Sequence, residues 1–413
     1  VAPRRIDSPD IASVLPPGGR TLIGGCSGES LFFAEAAMRA GETLGAMTFT
    51  GIFVPGLNKQ TYLANPRCRV ETFFLTPELK AAGDAVSFLP LCYGDILARL
   101  RKVPIDAAVF MATPPDSQGI CGFGPIVDFL ADIWPKIPVR IAHINPRLPR
   151  VRGAAGIPFS ELTAFIEQEQ PLLQMADAGT DPTSGAIARN VARWISDGAT
   201  VQAGLGKIPG AALRALRDRH DLRIHSGLVS EAVVDLEEAG ALSGGVAVTG
   251  GVAVGTQRLY DAVGGPAYRF EPVAYTHSLR ILSEISNLVS INSALEVDLF
   301  GQAYAEMGPG GLMSGPGGAS DFARGTYAAG GLRIVALPAS AAKGAVSRIV
   351  GPNAGAGPVS LGRMDTDVVV TEFGAADLRG LGHHDRAKAL IGVAPADHRE
   401  TLEKAWAALA AKF

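Results

Sequence analysis

Ala199-Thr-Val-Gln-Ala203, Gly204-Leu-Gly-Lys-Ile-Pro-Gly210 and the residues 211–219 that follow read in succession as a short apolar strand, a glycine turn and a helix. That order is the repeating unit of an open α/β sheet, in which a helix packs back on the strand before it. The same order occurs near the start of the chain, where Thr21-Leu-Ile-Gly-Gly-Cys-Ser-Gly28 leads into a helical stretch over residues 29–39. Two short matches of this kind suggest a duplicated α/β unit. Working outward, Ala107-Ala-Val-Phe-Met-Ala112 and Val139-Arg-Ile-Ala-His-Ile-Asn145 are apolar enough to be buried strands. The second runs into a Pro- and Arg-bearing loop over residues 146–153. Ala176-Asp-Ala-Gly-Thr-Asp-Pro-Thr-Ser184 is polar, carries Gly and Pro, and precedes an amphipathic helix expected over residues 185–197. The domain boundary is placed there, giving an N-terminal α/β domain over 1–180 and a C-terminal one over 185–413.

A chain of 413 residues exceeds one ordinary core and accommodates two domains of roughly 200 residues each. Apolar residues at 47% against 19% charged exclude a disordered chain and fit a globular enzyme. A net charge of −3 leaves no basic face for nucleic acid and no polybasic tract for an anionic membrane. Apolar runs such as residues 334–337 fall far short of the ~20 residues that span a bilayer. Val1-Ala-Pro-Arg-Arg-Ile-Asp7 lacks an apolar signal core, so a cytoplasmic location is expected. Cys26, Cys68, Cys92 and Cys121 form no Cys-x-x-Cys pair and have no His at ligand spacing, so neither a metal site nor a disulfide framework is expected.

Glycine is the informative excess, with 50 residues, about 12% of the chain against a usual ~7%. The turn at 204–210 opens a helix, whose free backbone N–H groups are a natural seat for an anion. Its spacing does not match the dinucleotide fingerprint, and a tight turn that binds nothing stays open as a reading. Gly308-Pro-Gly-Gly-Leu-Met-Ser-Gly-Pro-Gly-Gly-Ala-Ser-Asp-Phe322 puts six glycines into the eleven residues 308–318, with two prolines holding its shape. Such a loop exposes backbone amides that could form an oxyanion hole; the alternative is a surface linker.

Ile291-Asn-Ser-Ala-Leu-Glu-Val-Asp-Leu-Phe-Gly-Gln302, Ser314-Gly-Pro-Gly-Gly318 and Asp321-Phe-Ala-Arg-Gly325 together resemble the acetyl-CoA hydrolase/transferase family, above all its 4-hydroxybutyrate CoA-transferase branch. Ser347-Arg-Ile-Val350, Val370-Thr-Glu-Phe-Gly-Ala-Ala-Asp-Leu-Arg-Gly380, Arg386-Ala-Lys-Ala-Leu-Ile391 and Pro395-Ala-Asp-His-Arg-Glu400 extend the resemblance to the C-terminus. Pro114-Pro-Asp-Ser-Gln-Gly119 and Ile144-Asn-Pro-Arg-Leu-Pro149 extend it to the N-terminal half. The resemblance implies two tandem open-sheet α/β domains of the NagB/RpiA/CoA-transferase type. It further implies acyl-CoA:carboxylate CoA transfer or acyl-CoA hydrolysis, a homodimer, no permanently bound cofactor, and coenzyme A as a substrate moiety beside a small carboxylate.

In that family a glutamate attacks the thioester and becomes a glutamyl-CoA thioester that an incoming carboxylate takes over. It stands directly after a His-Ser or His-Thr pair. This chain reads His225-Ser-Gly-Leu-Val-Ser-Glu231, so the glutamate's place is held by Gly227. Three readings follow: another carboxylate, with Glu231 the nearest if Gly227 starts a helix; a CoA binder without turnover; or a hydrolase in which the space at Gly227 admits water. Glu231 could equally be a solvated carboxylate at a helix start. By resemblance, Gln202, Gly204 and Gly206 border CoA together with Gly317 and Gly318, and the amides of Ile208 and Gly318 face the thioester oxygen. Lys343 meets CoA's phosphates, or is a plain surface lysine. Asn287 and Glu372 stand beside the reacting carboxylate, with a structural ion-pair role open for Glu372. His225 and the His383-His384 pair lack an Asp or Cys framework and read as structural.

Overall fold

The computed structural model describes residues 2–7, 10–154, 156–308 and 310–412; Pro309 of the second glycine loop lies outside them. The chain packs into two compact units, one running up to Ala176 and including Val248–Thr276, the other formed by Asp177–Ala247 and the chain from His277 onward.

The first unit is built on eight parallel strands: β1 (Arg4–Arg5), β2 (Arg20–Ile23), β3 (Thr48–Gly51), β4 (Arg69–Thr72), β5 (Val86–Phe88), β6 (Ala107–Ala112), β7 (Val139–Ile144) and β8 (Ala164–Glu167). Their order is β1-β8-β7-β6-β2-β3-β4-β5. Every residue of β6 is buried, which is why it reads as an unbroken apolar run rather than an alternating one: both faces of a parallel sheet are covered. Helix α1 (Leu31–Ala40) starts where the Ser30 hydroxyl accepts a hydrogen bond from Phe33 N, and it buries Phe33, Ala34, Ala36 and Ala37. The 248–276 segment is tied into this unit by Ala253 N donating to Pro125 O (2.8 Å) and the Ser27 hydroxyl donating to Ala253 O (2.7 Å).

The second unit repeats the design. Strands β9 (Thr200–Ala203), β10 (Arg223–Val229), β11 (Leu288–Ser293), β12 (Leu332–Ala336) and β13 (Val368–Thr371) are parallel, and β14 (Gly374–Asp377) closes the edge antiparallel to β13. Their order is β14-β13-β12-β11-β9-β10. From β9 the chain moves toward β10, whereas from β11 it moves the other way toward β12. In such sheets ligands sit outside the carboxyl ends of the strands where the order reverses, here between β9 and β11. The first unit reverses likewise between β2 and β6. The echo between Thr21-Leu-Ile-Gly and Thr200-Val-Gln-Ala-Gly is therefore topological: each is the strand at its own sheet's reversal.

Several boundaries differ from the sequence reading. Helix α2 spans Pro182–Ala192 rather than 185–197, because Asp181 and Ser184 form a reciprocal capping box with Pro182 in the first turn. Helix α3 spans Lys207–Arg214, so the Ile-Pro-Gly of residues 208–210 lies inside the helix and the turn shrinks to Gly204–Gly206. Gly227 lies within β10 and does not start a helix; α4 begins at Glu231 and runs to Glu238. Helix α5 (Ala319–Ala328) follows the second glycine loop, and the Thr371 hydroxyl at the end of β13 bonds to Val393 O (2.8 Å), anchoring the chain after α6 (His383–Gly392).

Candidate active site

The two glycine turns at the sheet reversals differ in what surrounds them. In the first unit a Cβ on Gly24 would stand 3.1 Å from Phe110 Cβ, and one on Gly25 would collide with the carbonyl of Ile52. These glycines allow the backbone to pack against itself, and the void beside them is about 30 Å3, room for roughly one water. In the second unit a Cβ on Gly204 would meet nothing within 4 Å, and the Gly206 backbone, at φ +126°, adopts a conformation that favours glycine. A cavity of about 310 Å3 opens there. Leu205–Pro209 line one wall, Ser293 and Ala294 at the end of β11 another, and Pro338 and Arg348 a third. The N–H of Gly204 reaches Ile291 O at 3.4 Å, binding the turn to the end of β11.

The charges in this cavity are unequal. Lys207 is paired with Asp181 at 2.9 Å and is largely neutralised. The guanidinium of the half-buried Arg348 meets no carboxylate among the described residues. Its backbone is fixed by Arg348 N donating to Ala339 O (2.8 Å) and by Val297 N donating to Arg348 O (2.9 Å). Lys343, expected to carry the phosphate contact, sits exposed at the tip of the hairpin Ser340–Ala341/Val346–Ser347, with φ +57°, and does not line the cavity. Within Ser347-Arg-Ile-Val350 no local signal marks Arg348 as a cavity residue. Only the hairpin's return brings it to the cavity.

A second cluster gathers around β10. The Ser226 hydroxyl donates to Ala203 O (3.0 Å), joining β10 to the end of β9 just before the open turn. At the next residue, Gly227, a Cβ would stand 2.6 Å from Cε1 and 2.7 Å from Nε2 of His277. A Cβ on Gly318, which precedes α5, would stand 2.7 Å from the same Nε2 and 2.9 Å from Cδ2. The His277 ring therefore fills the space in front of both glycines, with Phe322 of α5 tilted against it at a centroid distance of 4.8 Å. The space beside Gly227, which the hydrolase reading of the sequence gave to water, is filled by an imidazole. His277 is 7% exposed, and burial first, then the charge of His225, push its pKa down to about 3. It went unnoticed in the sequence because a single His in Tyr275-Thr-His-Ser278 carries no spacing signal toward a glycine fifty residues earlier.

This ring makes the protein acid-sensitive. Between about pH 6.5 and about pH 3 the unfolded chain binds a proton at His277 that the native chain does not, so stability falls as pH drops through that window. The loss is about 2 kcal/mol at pH 5 relative to neutral pH. His277→Gln should flatten the dependence of the unfolding midpoint on pH between 7 and 5, measured by urea denaturation at each pH.

The remaining expected residues divide. Gly317 has φ +59°, and Gly318 lacks a side-chain cap, so the first amides of α5 have no partner within the helix. Ile208 lies in the first turn of α3 and lines the 310 Å3 cavity, whereas Gly317 and Gly318 do not. The Gly204–Gly206 turn therefore borders the 310 Å3 cavity, whereas Gly318 lies against the His277 ring. Gln202 is inside β9, 3% exposed, with Oε1 lacking a hydrogen-bond partner, and is not part of the turn. Glu231 opens α4, so the expected arrangement, one helical turn above Gly227, is absent. Asn287 is corrected outright: at φ +52° it precedes β11, where its carbonyl accepts from Thr200 N (3.1 Å), at the amino end of the parallel strands and away from their carboxyl ends. Asparagine suits that left-handed turn. Glu372 does follow β13, and its carboxylate accepts from Ala339 N (2.8 Å), holding the segment that carries Pro338 into the cavity.

Both units are open, largely parallel α/β sheets, and the solved structures that this fold resembles include CoA-transferases. The crystal structure of RipA from Yersinia pestis is similar with a TM-score of 0.91 and 30% identity, covering 98% of this chain and 97% of that one. The structure of a 4-hydroxybutyrate CoA-transferase from Porphyromonas gingivalis is similar with a TM-score of 0.81 and 30% identity, covering 99% of this chain and 98% of that one. In sequence, the 4-hydroxybutyrate coenzyme A transferase of Clostridium kluyveri is 36% identical over 316 residues, 74% of this chain and 73% of that protein. Residues 255–406 match the family model of the acetyl-CoA hydrolase/transferase C-terminal domain. The chain belongs to the acetyl-CoA hydrolase/transferase family.

Proposed function

We propose that this protein breaks the thioester of a short-chain acyl-CoA, passing the reaction on to a small carboxylate, as an acyl-CoA:carboxylate CoA-transferase, or to water, as an acyl-CoA hydrolase. The observation that carries the reading is the open cavity at the β9–β11 reversal, where a helix start and Ser293 meet the guanidinium of Arg348, which has no carboxylate partner among the described residues. That combination suits the phosphates of a CoA moiety: the guanidinium offers a planar fork to phosphate oxygens, and the helix start adds N–H donors. Phosphate binding of this kind anchors the distant end of the substrate and leaves the thioester to be placed against the glycine amides. We infer a cytoplasmic homodimer, with CoA entering and leaving as part of the substrate. Among the described residues no helix is long and apolar enough to cross a membrane.

Incubation with acetyl-, butyryl- or succinyl-CoA, with and without acetate, tests the reading directly. Thiol release without acetate identifies a hydrolase, and acyl exchange that needs acetate identifies a transferase. CoA binding with neither outcome sinks the enzymatic reading and leaves a binder. Arg348→Ala should raise KM for the acyl-CoA by about tenfold with kcat little changed, the pattern of lost uniform binding; an unchanged KM would move the phosphate site elsewhere.

A further inference from the structure

We propose that Asp181 and Lys207 form an exchangeable ion pair in the wall of the 310 Å3 cavity: a phosphate group of the arriving acyl-CoA takes Lys207 from Asp181, and Asp181 takes it back when CoA leaves. The inference rests on the phosphate reading of this cavity given above.

Asp181, Lys207 and Arg348 are the charged side chains that line the cavity, so Asp181 is its one acid among the described residues. A fixed carboxylate beside a phosphate site works against the ligand, and what Asp181 does for the fold does not require its charge. As the cap of α2 it accepts from Ser184 N through Oδ1 (2.7 Å), a bond that serine or asparagine would accept equally well. The other oxygen, Oδ2, is left for Lys207 Nζ at 2.9 Å. The two oxygens thus have separate tasks, and it is the second that calls for a carboxylate.

Of the two partners, Lys207 is the one that can move. Asp181 is held from both sides: its N–H donates to the Ser184 hydroxyl (2.9 Å), and its Oδ1 accepts from Ser184 N and from that same hydroxyl (2.9 Å). Lys207 stands at the first position of α3, with its ammonium on a flexible four-carbon stem and no other side-chain partner among the described residues. The side chains of Lys207 and Asp181 are 43% and 47% exposed, and a pair in that much water holds weakly. A doubly charged phosphate with a helix start and Arg348 beside it therefore outcompetes the single carboxylate. The hydrogen bond from Ser184 N, and after it that from Lys207, hold the Asp181 carboxyl down at about 2, so it stays charged at every physiological pH and recovers Lys207 once CoA has gone. The carboxylate sets the affinity for CoA below what the two cations alone would give, which suits a reaction that must let go of a CoA species at every turnover.

Titration calorimetry of the full chain with CoA tests the exchange. Asp181→Asn, which keeps the cap and removes the charge, should lower the Kd for CoA by about fivefold; a residue that served only the helix would leave it unchanged or raise it. Asp181→Ser, a second uncharged cap, should reproduce the gain, with circular dichroism reporting the fold of each variant. Lys207→Gln should raise the Kd by about threefold alone and by about tenfold when combined with Asp181→Asn, because in that background the ammonium is fully available to phosphate. If neither Asp181 variant binds CoA more tightly than the wild type, or if Lys207→Gln costs the same in both backgrounds, the exchange is overturned, while weakened binding by Arg348→Ala keeps the phosphate site where it is. Wild-type protein that binds no CoA overturns both.

Discussion

Gly227→Glu by itself should destabilise the protein by about 1–3 kcal/mol and create no glutamyl-CoA thioester, whereas Gly227→Glu combined with His277→Gly should create one. The new Cβ would begin 2.6 Å from Cε1 of His277, against the ~3.5–4.0 Å at which carbon atoms rest. The ring cannot turn aside, since Gly318 lies under its other edge and Phe322 against its face. Removing the ring empties that space, and the glutamate, on an otherwise unchanged strand, then has room to extend. Thioester formation is read by borohydride, which reduces an enzyme-bound glutamyl thioester and inactivates the protein only when acyl-CoA is present. The double variant should be inactivated; the single variant and the wild type should not. A single variant that melts at the native temperature and becomes borohydride-sensitive would show that the imidazole does not hold this space.

The second large effect is structural and comes from Asp298, in the middle of the Ile291–Gln302 motif. This carboxylate is 0% exposed and accepts five hydrogen bonds. Phe300 N and Gln302 N donate to Oδ1, both at 3.0 Å, and the Gln302 side chain (2.7 Å), the Tyr304 hydroxyl (3.2 Å) and Asn353 N (3.0 Å) donate to Oδ2. Burial and the Asp298 charge hold the Tyr304 phenol up at about 12, so it remains a donor. Asp298→Ala leaves buried donors without an acceptor and should destabilise the second unit by about 3–5 kcal/mol. Thermal unfolding followed by circular dichroism would measure it, and a shift under 1 °C would contradict this account. The most recognisable stretch of the sequence is thus a loop clamp, and its aspartate takes no part in the proposed chemistry.

That separation between recognisable and reactive residues runs through the chain. Gly204–Gly206 could be read as a strand-to-helix turn because a glycine pair between an apolar run and a helix is a local signal. Its difference from Gly24–Gly25 could not, because openness depends on what packs against the turn from elsewhere: Ile52 and Phe110 close the first turn, and nothing closes the second. Lys343 and Arg348 are cations five residues apart in sequence; hairpin geometry sends one to the tip and the other to the cavity. Asn287 was misplaced because the sequence does not say at which end of a strand a polar residue falls, and the φ of +52° that explains it is a property of the folded turn.

Local patterning determined that this chain forms strands and helices in alternation, and the resemblance of its motifs to a family marked position 227, a glycine here, as the place where a glutamate was expected. Those are properties of neighbouring residues and survive without coordinates. Only the tertiary structure decided what stands in the gap, because the His277 ring lies against both Gly227 and Gly318, and contacts between residues tens of positions apart are set by the packing of the whole unit and not by any local preference.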